Sequence, residues 1–355
     1  MCLGNNIFIS NIIEKSSLSF SSGKTLYVGG TGPDNYTFIR DAVYDANPGD
    51  TVFVYSGTYY ETKIIVDVQI TIIGEDKNTT IVDSQKIKHP FFLKAAGIYL
   101  TGFKLCNTSD YPPYSVVDVS SNFCIIENNI IFSSKGGGIE ISEGDYHDNI
   151  IENNEIFDCE QGVILDSLGF DNLVRNNTIH DCPYGILLGG SNNSVTGNII
   201  KNNYFGMYVY LLENNEIRNN LVIDNKEGIW IDHDGYNNLI TENTIISNDD
   251  FGLIMFDTCK KNIISYNNIS YNYFGIYLQF MSRGNNINHN NFLGNKISAF
   301  FEINFVYRNK WNNNYWNKPL DKPKLILGGK GFVFYIIPWF EIDWHPAKEP
   351  YDIGV

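Results

Sequence analysis

The chain of 355 residues has no apolar run as long as the roughly 18 residues a membrane-spanning helix requires, so insertion into a membrane is not expected. Positive charge is scarce. Lys and Arg total 25 against 40 Asp and Glu, giving a formal net charge of −15. Such a field repels phosphate backbones and anionic lipid, which excludes nonspecific nucleic-acid and membrane partners. It repels acidic polysaccharides as well, unless a cation such as calcium intervenes; no other cofactor is expected. Cysteine is sparse, with six residues and no CxxC pair, which excludes a disulfide scaffold and a zinc site of the usual spacing. Proline numbers 11 and charged residues make up 18%, too little of either for a linker protein or a disordered chain. The opening MCLGNNIFISNIIEKSS lacks both the basic start and the long apolar middle of a signal peptide. Residues 1–24 are read as a leader remnant or flexible N-terminus.

What the sequence holds in excess is asparagine, and it recurs in register. A pattern Asn-x-aliphatic-x-x-Asn-x-apolar begins at Asn149, Asn172, Asn193, Asn215, Asn238, Asn262, Asn285 and Asn309, in steps of 21 to 24 residues. Five places on, a second column reads Asn129, Asn154, Asn177, Asn198, Asn220, Asn243, Asn267, Asn290 and Asn314 without a break. A third reads Ser134, Cys159, Cys182, Asn203, Asn225, Asn248, Asn272 and Asn295. Periods in the low twenties belong to leucine-rich repeats or to parallel β-helices. Short alternating stretches such as GILL and GIWI, divided by Asn and Gly and without a helical run, decide for three short strands per coil.

In that architecture identical positions stack at about 4.8 Å. The asparagines then form a ladder whose amides donate and accept along the stack, and they mark the corners, where a left-handed conformation is tolerated. Over YTFIRDAVYDANPGD the spacing predicts a capping helix with Phe38, Ile39, Ala42, Val43 and Ala46 on its apolar face and Thr37 as its cap. The expected organisation is a single all-β parallel β-helix of roughly a dozen coils over 25–316. An irregular, aromatic C-terminal cap is expected over 317–355.

The segments YTFIRDAVYDANPGDTVFVYSGTYYE and ITIIGEDKNTTIVDS, followed by the Asn repeats and the closing NNNYWNKP, resemble NosD-type right-handed β-helix proteins. That group takes in carbohydrate-binding proteins and sugar hydrolases, and the likeness extends to archaeal secreted members. The resemblance implies a right-handed coil, an extracellular or cell-surface location, and, through the family's namesake, copper handling. Copper wants clustered His, Met or Cys, and here only Cys159 and Cys182 fall in one column on adjacent coils. A disulfide, a two-thiolate site and plain packing remain open for that pair.

Strand alternation assigns the outward side chains of the Gly-Ile strands. Ile186, Leu188, Ile229, Ile231, Ile276 and Leu278 point inward, leaving Glu140, Ile164, Leu187, Tyr208, Trp230, Ile254 and Tyr277 facing out. The next outward column is Ser142, Asp166, Gly189, Tyr210, Asp232, Phe256 and Gln279. Tyr208, Tyr210, Trp230, Phe256 and Tyr277 beside Asp166 suggest a platform on which sugar rings stack, unless the aromatic tail covers it. The one compact acid and base cluster is Asp232, His233 and Asp234, which resembles the catalytic segment of mannuronan epimerases without its proline. The reading is a carbohydrate-binding or structural envelope protein, with a polysaccharide epimerase, lyase or glycosidase as the alternative and copper handling third.

Overall fold

The computed structural model describes residues 23–354 apart from 111–113, 143, 211–212, 304–307 and 333–334. The leader remnant expected over 1–24 lies outside them except for Gly23 and Lys24. The described residues wind into a β-solenoid of 36 strands, paired in parallel with their equivalents on neighbouring coils except for an antiparallel hairpin at the C-terminal end. Three sheets result. The first carries triplets such as Glu216–Arg218 and Leu239–Thr241, the second Leu221–Ile223 and Thr244–Ile246, and the third Phe205–Tyr210 and Glu227–Asp232. Inward positions form one continuous column of Ile, Val and Leu, and Ile186, Leu188, Ile229, Ile231, Ile276 and Leu278 are fully buried as expected.

The asparagine ladder is present and directional. Asn220 donates its backbone N–H and its Nδ2 to Asn243 Oδ1, both at 3.0 Å, and accepts the same two bonds from Asn198. Nδ2 also bonds Val195 O at 2.9 Å and Arg218 O at 3.0 Å, so the amide is saturated. The corner conformation falls elsewhere than expected. The left-handed residue is the one before each ladder asparagine, at Asn128, Asn153, Asn176, Asn219, Glu242, Tyr266, His289 and Asn313 in the second column. The ladder asparagine is thus retained for its hydrogen bonds, while its predecessor absorbs the turn.

Both ends are closed. The helix α1, Ile39–Tyr44, buries Ile39, Ala42 and Val43, but Phe38 is 40% exposed and packs under Arg40 instead. Thr37 does not cap it. Its first N–H groups go to the buried Glu61 carboxylate, from Ile39 at 2.6 Å and Arg40 at 3.0 Å, which brings a charge to bear on the helix N-terminus from a later coil. At the other end the segment expected to be irregular is a β-hairpin, Lys324–Phe332 antiparallel to Tyr335–Asp343. Its first arm extends the third sheet beyond Phe301–Ile303, and Asp343 pairs with Trp311.

Candidate functional site: an aromatic flank on the third sheet

Parallel register stacks like on like, so a column of aromatic residues in sequence becomes a row of rings in space. Tyr184, Phe205, Glu227, Phe251 and Phe274 pair directly in succession, as do Tyr208, Trp230, Ile254, Tyr277 and Phe300. The rings meet within and between the columns. Tyr184 and Phe205 stack at 5.1 Å, Phe205 meets Trp230 edge-on at 5.6 Å, Phe251 and Tyr277 stack at 5.3 Å, and Tyr277 reaches Phe300 at 5.7 Å. These separations fall in the favourable range for ring pairs. The first of these columns, before the glycine, escaped the sequence reading although its aromatic succession is visible there.

Tyr208, Tyr210, Trp230, Phe256 and Tyr277 are all half-buried: each shows part of its ring to solvent. Ile254 is only 1% exposed, because Trp230 and Tyr277 close over the smaller side chain between them. The described part of the C-terminal tail occupies the end of the coil stack and makes no ring contact with Tyr208, Trp230 or Tyr277.

Carboxylates are tied to this face by diagonal contacts. The Tyr208 hydroxyl donates to Asp232, whose other oxygen takes the His233 backbone N–H at 2.9 Å and lies 2.7 Å from its Nδ1. His233 is mostly exposed and has Asp257 3.9 Å from its Nε2. Asp234 is not part of this group; it accepts a bond from Thr258 at 2.6 Å and faces solvent. Of the expected cluster the structure therefore joins Asp232 and His233 to Tyr208. Burial first, and the Asp232 bond second, push the Tyr208 phenol well above the usual tyrosine range, so it stays protonated. Arg175 and Arg218, the nearest cations in sequence pattern, are paired with Glu152 and Glu242 on the first sheet.

Glu227 is the site residue that sequence reasoning missed. It is 6% exposed, lies in register between Phe205 and Phe251, and its Oε2 has no hydrogen-bond partner. Burial, then Asp250, pushes its carboxyl up to about 7. A group raised in the folded state holds its proton there after the unfolded chain has released it, so stability falls as pH rises between the two values. Wild type should lose on the order of 2 kcal/mol between pH 4.5 and 7 relative to Glu227→Gln. Melting temperatures of both proteins across that interval check this, and parallel curves would show that Glu227 ionises freely.

Cys159 and Cys182 are both free thiols, each donating to a carbonyl two residues back at 3.3 Å, Phe157 O and His180 O. Burial pushes Cys182 up to about 12 and holds Cys159 well above the usual thiol range, which disfavours the thiolate a copper site needs. Met207 and Met255 are fully buried core side chains, and no group of three or more His, Cys, Asp or Glu suited to a metal occurs among the described residues. The described residues do not fit a copper centre.

The coil geometry and this repeat define a class, the right-handed β-helix proteins: a family model described as "Right handed beta helix region" matches residues 70–245. Residues 168–330 match the model described as "Periplasmic copper-binding protein (NosD)", and the two matches together support a right-handed β-helix of NosD type. A search of curated protein sequences returns no match. Among solved structures the chain is similar to the Azotobacter vinelandii mannuronan C-5 epimerase AlgE6 A-module, at 13% identity and a TM-score of 0.67 over 88% of this chain and 94% of that one. It is similar to the Dettilon tailspike protein, at 14% identity and a TM-score of 0.63 over 82% of this chain and 66% of that one. It also resembles an alginate lyase from Paenibacillus sp. str. FPU-7, at 14% and 0.52 over 70% and 95%. At such identities the likeness concerns the fold. No helix among the described residues is long and apolar enough to cross a membrane.

Proposed function

We propose that the third flank of this β-helix binds a polysaccharide outside the cytoplasm, at the cell surface or in the envelope. The observation that carries the reading is the row of rings from Tyr184 to Phe300, partly open to solvent, with carboxylates hydrogen-bonded beside it. Pyranose rings present flat C–H faces that pack on aromatic rings, while their hydroxyls pair with acids and phenols. The fold neighbours support the reading in that their names are those of a mannuronan epimerase, an alginate lyase and a tailspike. An acidic glycan on this face would need calcium between the two sets of carboxylates. A glycan-array screen of wild type against a Tyr208→Ala/Trp230→Ala double mutant tests it. The expected outcome is a loss of roughly tenfold or more in affinity, the scale of losing central aromatic contacts. Equal binding by the two proteins, or none by wild type, would refute it.

One observation favours a second reading, an enzyme acting on that glycan: the continuous hydrogen bonding of Tyr208, Asp232 and His233. Asp232 would orient His233 as the base, and the protonated Tyr208 would serve as the acid. Polyuronate epimerisation or elimination also requires a positive neutraliser, and none stands among the described outward residues of this flank, so a glycosidase type suits it better. Incubating any bound glycan with wild type and His233→Ala, with products read by mass spectrometry, decides between holding and turnover.

A further inference from the structure

The charge on this flank has one sign. From Asp118 to Glu302, the outward positions of the third sheet include Asp118, Glu140, Asp166, Glu227, Asp232 and Glu302 but no Lys or Arg. Asp118 and Glu140 stack on consecutive coils about one strand spacing apart, and Asp166 lies on the next coil, two positions past Ile164, the register partner of Glu140. Burial first, then Asp118 and Asp166, raises the Glu140 carboxyl, and burial raises Asp118. Neither these two nor Asp166 has a Lys or Arg partner among the described residues.

The groups that face the cluster do not neutralise it. Ser115, Ser142 and Ser167 donate hydroxyl hydrogen bonds to Glu140, Asp118 and Asp166 respectively. Tyr210 is pushed up to about 12 by burial and by Asp166 and Glu140, so it remains a neutral phenol. His89 is 7% exposed with its Nδ1 unpartnered; burial, Lys88 and Lys63 lower its basicity, while Asp118 raises it. Lys94 stands at the N-terminal rim over the Phe92 ring.

The second, separate observation is Glu227: a nine-tenths buried carboxyl with an unpartnered oxygen among Phe205, Phe251 and Trp230, whose neighbour Lys226 is occupied by Asp250. Aromatic faces and an unpaired carboxylate together suit an ammonium group. A neutral sugar leaves these charges uncompensated, and a polyuronate adds to the repulsion.

Resting on the glycan-binding reading above, we propose that the polysaccharide taken by this flank bears protonated amino groups, as a glucosamine polymer does, with the ammoniums set against Glu140, Asp166 and Glu227 and the sugar faces on the rings. Binding then requires ionised carboxylates and protonated amines at once. Affinity should peak at intermediate pH, falling on the acid side as the carboxyls take protons and on the alkaline side as the amines lose theirs.

Calorimetric titration of the full chain with hexamers of glucosamine, N-acetylglucosamine, mannuronate (with calcium and with chelator) and lysine tests this. The glucosamine hexamer should bind roughly tenfold or more tightly than the N-acetylated one, a preference that salt weakens. Glu140→Gln and Glu227→Gln, nearly isosteric and checked for fold by circular dichroism, should bring the two sugars together. Equal or better binding of the N-acetylated or mannuronate hexamer overturns the inference and leaves the glycan-binding reading standing. Equal binding of lysine and glucosamine hexamers overturns it in favour of charge alone, and no sugar binding at all defeats both.

Discussion

Replacing Asn220 with alanine should lower stability by about 3–5 kcal/mol, although the side chain touches no candidate ligand position. The side-chain amide takes part in five hydrogen bonds, and its removal strands partners on three coils. Asn198 loses the acceptor for its N–H and its Nδ2, while Val195 O, Arg218 O and Asn243 Oδ1 lose a donor. All but Arg218 O are buried, so water cannot replace what is lost there without opening the coil, and each buried orphan costs about 1–3 kcal/mol before relaxation. Because solenoid coils contact only their neighbours, the damage should be local. Hydrogen exchange should accelerate in residues 195–201 and 243–246 and stay slow in the first coils. The exposed neighbour Asn219, which holds the left-handed corner, should cost only about 1 kcal/mol on the same substitution. Similar midpoints in denaturant for the two variants would mean that the ladder is decoration on a core that stands alone.

Asp343→Ala is expected to be comparably damaging, at about 3–4 kcal/mol, and to act at the far end of the molecule. The second asparagine column does not simply stop at Asn314. Its N–H and Nδ2 bond Asp343 Oδ2 at 3.0 and 3.1 Å, Trp316 Nε1 joins the same oxygen at 3.0 Å, and the His345 N–H takes the other at 3.1 Å. Glu341 does the same for the first column, accepting the Asn309 N–H at 3.0 Å and the Trp311 indole N–H. Asp343→Asn keeps one acceptor oxygen and should recover half or more of the loss. Intrinsic tryptophan fluorescence of Trp311 and Trp316 reports the site, and an Asp343→Ala protein with wild-type emission and melting would rule out this cap.

The coils were legible in the sequence because a solenoid writes the same constraint on every turn. Nine asparagines in one column leave little choice of fold, and alternation around Ile229 and Ile231 gives the side of the sheet directly. Sequence failed where the constraint is written once. Asp343 and Glu341 lie 29 and 32 residues after the asparagines they serve, well beyond the repeat length, because a hairpin arm intervenes, so no column points to them. Glu61 caps α1 from 21 and 22 residues away, and a local cap such as Thr37 looked sufficient. Glu227 was passed over because the count of outward positions began after the glycine, while the pleat carries the face back through Phe205, Glu227 and Phe251. The corners were misassigned because asparagine suits both jobs, and only coordinates separate the residue that turns from the one that bonds.

The direction of the ladder has a consequence for assembly. From one asparagine to the next, the N–H always donates to the Oδ1 on the C-terminal side, so the link along each column runs one way, hydrogens last. Stacked amides of this kind are what let fibrils recruit the next molecule indefinitely. Here the last hydrogens in two files are met by carboxylates, which have no hydrogen of their own to offer a newcomer. The solenoid carries its own full stop, and a chemistry able to propagate without limit is confined to one chain.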